Sequence, residues 1–91
     1  MSAQKEIQQV CTSMQELLLE KNKRYGNSAL EPVGIFSRQG SGESIKIRLD
    51  DKIGRIQNSH ELRKNDVADL IGYLVLLAIS EGWTDFEDLI D

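Results

Sequence analysis

The sequence predicts a small all-α protein. Three stretches repeat their apolar residues at steps of three and four, which places those side chains on one face of a helix. The 91 residues fit one domain, spanning 1–91. A chain this short buries only about 60% or slightly more of its unfolded surface. We therefore expect three main helices, a short C-terminal helix and a long Gly/Ser loop, assembled as an oligomeric helical bundle.

Composition narrows the classes of partner. The formal net charge of −4 argues against a broad surface for duplex nucleic acid, although a local basic cluster still suits a small anion. The most apolar run, residues 67–79, is shorter than the roughly 20 residues that span a bilayer, so no membrane partner is expected. No signal peptide is recognisable at the start, and Cys11 is the single cysteine. These features favour a reducing, cytoplasmic location.

The first helix carries the clearest apolar stripe. Its members are Ile7, Val10, Cys11, Met14, Leu17 and Leu18. Ser2 is the expected N-cap, Cys11 is expected to be a small buried hydrophobe, and the helix should end before Gly26. A Gly/Ser-rich loop with the only proline is predicted over residues 25–42, partly docked on the core.

The second and third helices are predicted over residues 44–58 and 64–80. Alternating apolar residues at 45, 47 and 49 also suit a strand, but a longer helical stripe runs through Ile45, Leu49, Ile53 and Ile56. The third helix is apolar nearly all round and should be buried on all sides, with help from a subunit interface. Gly82 is expected to terminate it, and Thr84 with Glu87 resembles a capping box that opens a short last helix.

Two basic clusters suit an anionic ligand. Arg48, Lys52 and Arg55 follow an i, i+4, i+7 spacing on the second helix, so their cationic groups leave one side of it. Two guanidinium forks and a compact ammonium are suited to phosphate. The alternative is a solvated face with intrahelical pairs such as Asp51 with Arg55.

The second cluster lies at the end of the first helix. It comprises Lys21, Lys23, Arg24, Tyr25 and Asn27. An aromatic ring beside a guanidinium and exposed amides suits a nucleobase and its phosphate. The alternative is a helix C-terminus whose carbonyls are satisfied by cations.

An acidic cluster suggests a metal site. Asp66 and Asp69 are three residues apart on the third helix, with Tyr73 on the same side, and Asp51 lies on the second helix. Carboxylates on facing helices can hold Mg²⁺ and leave room for substrate phosphates. The alternative is an interhelical salt bridge, in which Asp69 pairs with Arg48, Lys52 or Arg55.

Three sequence blocks follow one another along the chain: KNKRYGNS (21–28), IRLDDKIGRI (47–56) and DVADLIGY (66–73). Together they resemble the nucleotide-modification-associated domain 1 proteins of phages and bacteria. The last block also resembles the second metal box of MazG-like all-α nucleotide pyrophosphohydrolases. The resemblance implies a helical oligomer that acts on nucleotides. The first MazG metal box, Glu-Glu-x-x-Glu, has no counterpart, because the first helix offers only Glu16 and Glu20 at a different spacing.

Three functions follow as hypotheses. The first is a phage-type nucleotide-binding protein that holds, without cleaving, a phosphate-containing ligand such as a cyclic nucleotide signal of bacterial defence. The residues expected to bind it are Lys21, Arg24, Tyr25, Asn27, Arg48, Lys52, Arg55 and Tyr73. The second is a Mg²⁺-dependent nucleoside triphosphate pyrophosphohydrolase, with Asp51, Asp66 and Asp69 on the metal and no cofactor otherwise. The third is a helical interaction module whose basic stripe contacts an acidic partner.

Overall fold

The computed structural model describes residues 2–26 and 41–90, which form three α-helices and one short 3-10 helix. Helix α1 covers Gln4–Tyr25, α2 covers Ser41–Asn58, α3 covers Lys64–Ser80, and the 3-10 helix covers Glu87–Leu89. No strand occurs in those two ranges, so the all-α prediction is confirmed for this part of the chain. Residues 27–40 of the predicted loop lie outside the described residues.

Helix α3 lies between the other two helices. Lys21 of α1 contacts Asp69 near the start of α3, and Gly42 of α2 lies beside Ser80 at its end. Lys52, farther along α2, contacts Asp69, so α2 runs antiparallel to α3. Helix α1 is also antiparallel to α3, because Leu18 lies against Gly72. Within the described residues α1 and α2 do not pack on each other, so the helices form an open layer and not a closed bundle.

The best-packed contact joins α2 to α3. Ile45 is fully buried and Leu49 nearly so, as their shared stripe predicts, whereas Ile53 of the same stripe is half exposed. The helix begins at Ser41 instead of residue 44. The polar run from Ser41 to Ser44 gave no apolar signal, but it continues the helix alongside the end of α3.

Helix α1 is far less covered than predicted. It has no buried residue, only Met14 and Leu18 of its stripe are half-buried, and the expectation that Cys11 is buried is wrong. Helix α3 is likewise not covered on all sides, since Leu74, Val75 and Ile79 are 40–49% exposed. The reason is geometric, because within residues 2–26 and 41–90 helix α1 packs only against α3, and most of its apolar side chains lie away from that contact.

Some of the predicted helix caps are observed and others are not. Gly26 and Gly82 have φ of 64° and 80°, and their N–H groups donate to Asn22 and Ile79, so the predicted ends of α1 and α3 are confirmed. Ser2 is not the N-cap, because Ala3 occupies that position without a side-chain hydrogen bond. Phe86, not Thr84, is the N-cap of the last helix, and it makes no side-chain capping hydrogen bond. Just before it, Asp85 Oδ1 accepts a 2.9 Å hydrogen bond from the N–H of Glu87.

The last helix is a single 3-10 turn, which is shorter than the predicted one. None of the described helices combines the length and the apolar character needed to cross a membrane.

Candidate functional site

An ion-pair network joins the three helices at the start of α3. Lys52 Nζ lies 2.8 Å from Asp69 Oδ2 and 3.9 Å from Asp66 Oδ1. Lys21 Nζ of α1 lies 3.6 Å from the other oxygen of Asp69. Asp69 therefore takes a cation from each neighbouring helix, and the interhelical salt bridge predicted for this aspartate is present with Lys52 as the partner.

Two members of this network are largely shielded from solvent. The side chain of Lys52 is 16% exposed and that of Asp66 only 8%. The hydrogen bond from Lys52 is the largest cause that lowers the pKa of Asp69 from its ordinary value; burial opposes it, and the charges of Lys52 and Lys21 reinforce it. Asp66 also lies in the first turn of α3, where the helix dipole favours a carboxylate.

A groove of about 750 Å³ runs between α1 and α3, and its two ends differ in chemistry. Where α1 ends and α3 begins, the lining is polar and aromatic, with Lys21, Asn22, Tyr25, Asp69 and Tyr73. Towards the other end it is apolar. That part is lined by Val10, Met14, Leu17, Val75, Leu76 and Ile79. The volume lies within the range of pockets that hold small-molecule ligands, roughly 300–1,000 Å³.

Tyr73 connects the polar end of the groove to α2. It lines the groove, and the guanidinium carbon of Arg48 lies 6.0 Å from the centroid of its ring. This distance is at the outer limit of a cation–π contact, worth about 0.5–1 kcal/mol at an exposed site. Arg48 and Tyr73, predicted separately for the ligand, are thus neighbours, and Tyr25 and Lys21 line the same groove end from α1.

The remaining predicted ligand residues are placed differently. Arg24 donates a 3.0 Å hydrogen bond to Glu20 one turn before it on α1. Arg55 is exposed and forms no ion pair with any described residue, including Asp51. Asn27 lies outside the described residues. The expected trio of cations on α2 is therefore divided, since Lys52 turns towards α3 while Arg55 faces solvent.

The predicted metal trio is not assembled. Asp66 and Asp69 share the ammonium of Lys52, and Asp51 is exposed. The helical repeat explains this, because Asp51 precedes Lys52 by one residue and so points about 100° away from the side facing α3. Among residues 2–26 and 41–90, no three His, Cys, Asp or Glu side chains lie close enough together to hold a metal ion.

Sequence reasoning did not predict the groove or a second one beside it. The second groove, about 460 Å³, lies on the other side of the Ile71, Val75 and Ile79 row and is lined also by Trp83 and Phe86. The sequence does contain a feature that indicates two grooves. Helix α3 is apolar nearly all round, so apolar side chains are expected on more than one of its faces.

In comparisons with known proteins, no protein-family model, curated protein or solved structure matches the chain.

Proposed function

We propose that this chain is a nucleotide-binding protein, which holds a phosphate-containing nucleotide at the polar end of the α1–α3 groove without cleaving it. The observation that carries the proposal is that Tyr25, Tyr73 and Lys21 line one end of the same groove, with the guanidinium of Arg48 beside the ring of Tyr73. Aromatic faces stack on bases, and cations at the rim attract phosphate. The resemblance of residues 21–28, 47–56 and 66–73 to the nucleotide-modification-associated domain 1 family supports the same ligand class.

Charge at this end also favours an anion. Lys21, Arg48 and Lys52 outnumber the carboxylates Asp66 and Asp69, although the whole chain carries a net charge of −4. A local excess of cations on an acidic protein raises the concentration of anionic ligands there. Lys52 is held by both aspartates, so we assign it a positioning role: it orients Asp69 and keeps Lys21 beside the groove.

Binding without hydrolysis is the better of the two nucleotide hypotheses. Magnesium-dependent cleavage requires carboxylates that converge on the ion, and Lys52 already bridges Asp66 and Asp69 while Asp51 faces solvent. The cation and aromatic groups at the groove end need no metal to bind phosphate and base. The same groups suit linear and cyclic nucleotides alike, so the proposed ligands include a cyclic nucleotide signal of bacterial defence.

Isothermal titration calorimetry tests the proposal with nucleoside mono- and triphosphates and cyclic di- and trinucleotides, each with Mg²⁺, followed by chromatography of the recovered ligand. We expect at least one nucleotide to bind and to be recovered intact. Arg48→Ala should weaken binding about 10- to 100-fold, which corresponds to one charge-assisted contact of about 1.5–3 kcal/mol. Lys46→Ala is the matched control, because Lys46 is exposed on the same helix and its one ion pair with a described residue is with Glu43.

Two results would overturn the proposal. One is the absence of binding by every nucleotide at millimolar concentration, which would favour an interaction module. The other is release of monophosphate and pyrophosphate, which would favour the hydrolase.

A further inference from the structure

We propose that a second copy of this chain covers the apolar end of the α1–α3 groove together with the neighbouring groove at Trp83. This proposal does not depend on the nucleotide, because it concerns the opposite, uncharged end of the groove. It starts from the open arrangement of the helices, in which α1 has no buried residue and, among the described elements, contacts only α3. A helix with an apolar stripe is stable when that stripe is buried against another element.

The exposed apolar side chains form one continuous surface. Ile71, Val75 and Ile79 are spaced by four residues on α3 and line both grooves, so they form a ridge between them. Exposed side chains lie on each side of this ridge. They are Val10, Leu17 and Leu19 on the α1 side and Leu74, Trp83 and Phe86 on the other.

The size of this surface matches that of a stable interface. With Val75 and Ile79 included, the exposed area of these side chains is roughly 800 Å², about what each partner contributes to a standard protein–protein interface. Monomeric proteins rarely expose a continuous apolar patch larger than about 300–600 Å². The surface is therefore larger than one copy is expected to leave in water.

Shape and charge favour a second copy over an unlike partner. A ridge flanked by two grooves is self-complementary, because the ridge of each copy can lie in a groove of the other about a two-fold axis. A two-fold interface also brings like residues towards each other, so charged residues there would repel. Among the described residues, the charged side chains that line either groove are Lys21 and Asp69, and both lie at the polar end of the first groove. Pairing of two copies at the apolar end therefore does not bring like charges together.

Sedimentation velocity of the full chain over a range of concentrations tests the proposal. We expect a dimer or a larger assembly at tens of micromolar and dissociation on dilution. Val75→Glu should weaken association at least about 100-fold, since two buried like charges would face the interface. Leu62→Glu is the matched control, because Leu62 is as exposed as the residues of the patch but lines neither groove, and it should leave the assembly intact.

A second readout separates loss of assembly from loss of fold. Cys11 is exposed in one copy and lines the groove, so its alkylation by a maleimide should slow as the protein concentration rises. Trp83→Ala, which removes exposed surface without adding charge, should also weaken assembly while the circular dichroism spectrum is unchanged.

A wild-type protein that sediments as a monomer at hundreds of micromolar would overturn the proposal. So would a Val75→Glu variant that is folded and assembles as the wild type does. Nucleotide binding is measured separately, so either proposal can fail while the other stands.

Discussion

At the scale of single residues, Lys52 is the most consequential side chain in the described structure. It is mostly buried, and it is the only cation within 4 Å of Asp66 among the described residues. Its neighbour Arg48, one turn earlier on α2, is exposed and lies over Tyr73. Two residues of like charge on one helix therefore serve different purposes, since one holds helices together and the other remains accessible to a ligand.

Replacement of Lys52 should cost much more stability than replacement of an exposed lysine. In Lys52→Met the side chain keeps nearly the same length but loses its charge. Among the described residues, Asp66 then has no cation within 4 Å and Asp69 keeps Lys21 at 3.6 Å. We expect the free energy of unfolding to fall by about 2 kcal/mol, because a carboxylate is left partly buried and unpaired. Urea denaturation measures this, and Lys46→Met, on the same helix, should change stability by less than about 0.5 kcal/mol. Equal effects of the two substitutions would contradict the bracing role.

At the scale of secondary-structure elements, glycines occupy three different situations. Gly54 lies inside α2 with open space where a Cβ would be, and Gly82 ends α3 with φ of 80°. At Gly72 of α3, a Cβ would lie 3.0 Å from Leu18 Cδ2 of α1. The missing side chain at Gly72 therefore allows α1 to approach α3 closely at this point.

Alanine at two of these positions should have opposite effects. Gly54→Ala should stabilise the protein by about 0.5–1 kcal/mol, because alanine loses less backbone entropy in a helix and meets no neighbour. Gly82→Ala should destabilise it by about 1–2 kcal/mol, because the left-handed conformation is unfavourable for a residue with a Cβ. Thermal unfolding of both variants at one protein concentration measures the difference, and a shift of the same sign in both would refute this account.

The elements themselves were the most predictable level. Residues 64–80 were predicted for α3 and are observed, because a long apolar repeat and a terminating glycine mark it clearly. The start of α2 was missed because its first residues are polar and fit a loop as well as a helix. The salt bridge of Asp69 was foreseen as a type of contact, but three cations of α2 were equally eligible. Which of the three contacts Asp69 depends on how α2 is rotated about its own axis relative to α3. The spacing of residues in the sequence does not determine that angle.

At the scale of the whole molecule, packing is uneven. The two buried apolar residues of the described chain, Ile45 and Leu49, both belong to the α2–α3 contact. Helix α1 is held by its contact at Gly72, by Lys21 and by half-buried Met14 and Leu18. One copy therefore consists of a firmly packed helix pair and a third helix that shares few apolar contacts with it.

Amide hydrogen exchange should reveal this difference. In dilute protein, amides of α1 should exchange through local opening at a lower free energy than amides of α2 around Ile45 and Leu49. As the concentration rises, protection of α1 should increase while that of α2 changes little, because the proposed second copy covers the α1 side of the groove. Uniform protection of all three helices at every concentration would contradict both statements.

Trp83 gives the molecule a built-in optical reporter. It is the only tryptophan in the sequence, it is 58% exposed, and it lines the groove that also contains Phe86. An indole in water emits at longer wavelength than one in an apolar setting, so the colour of its fluorescence records whether that groove is open or occupied. The chain thus signals the state of this surface without any attached dye.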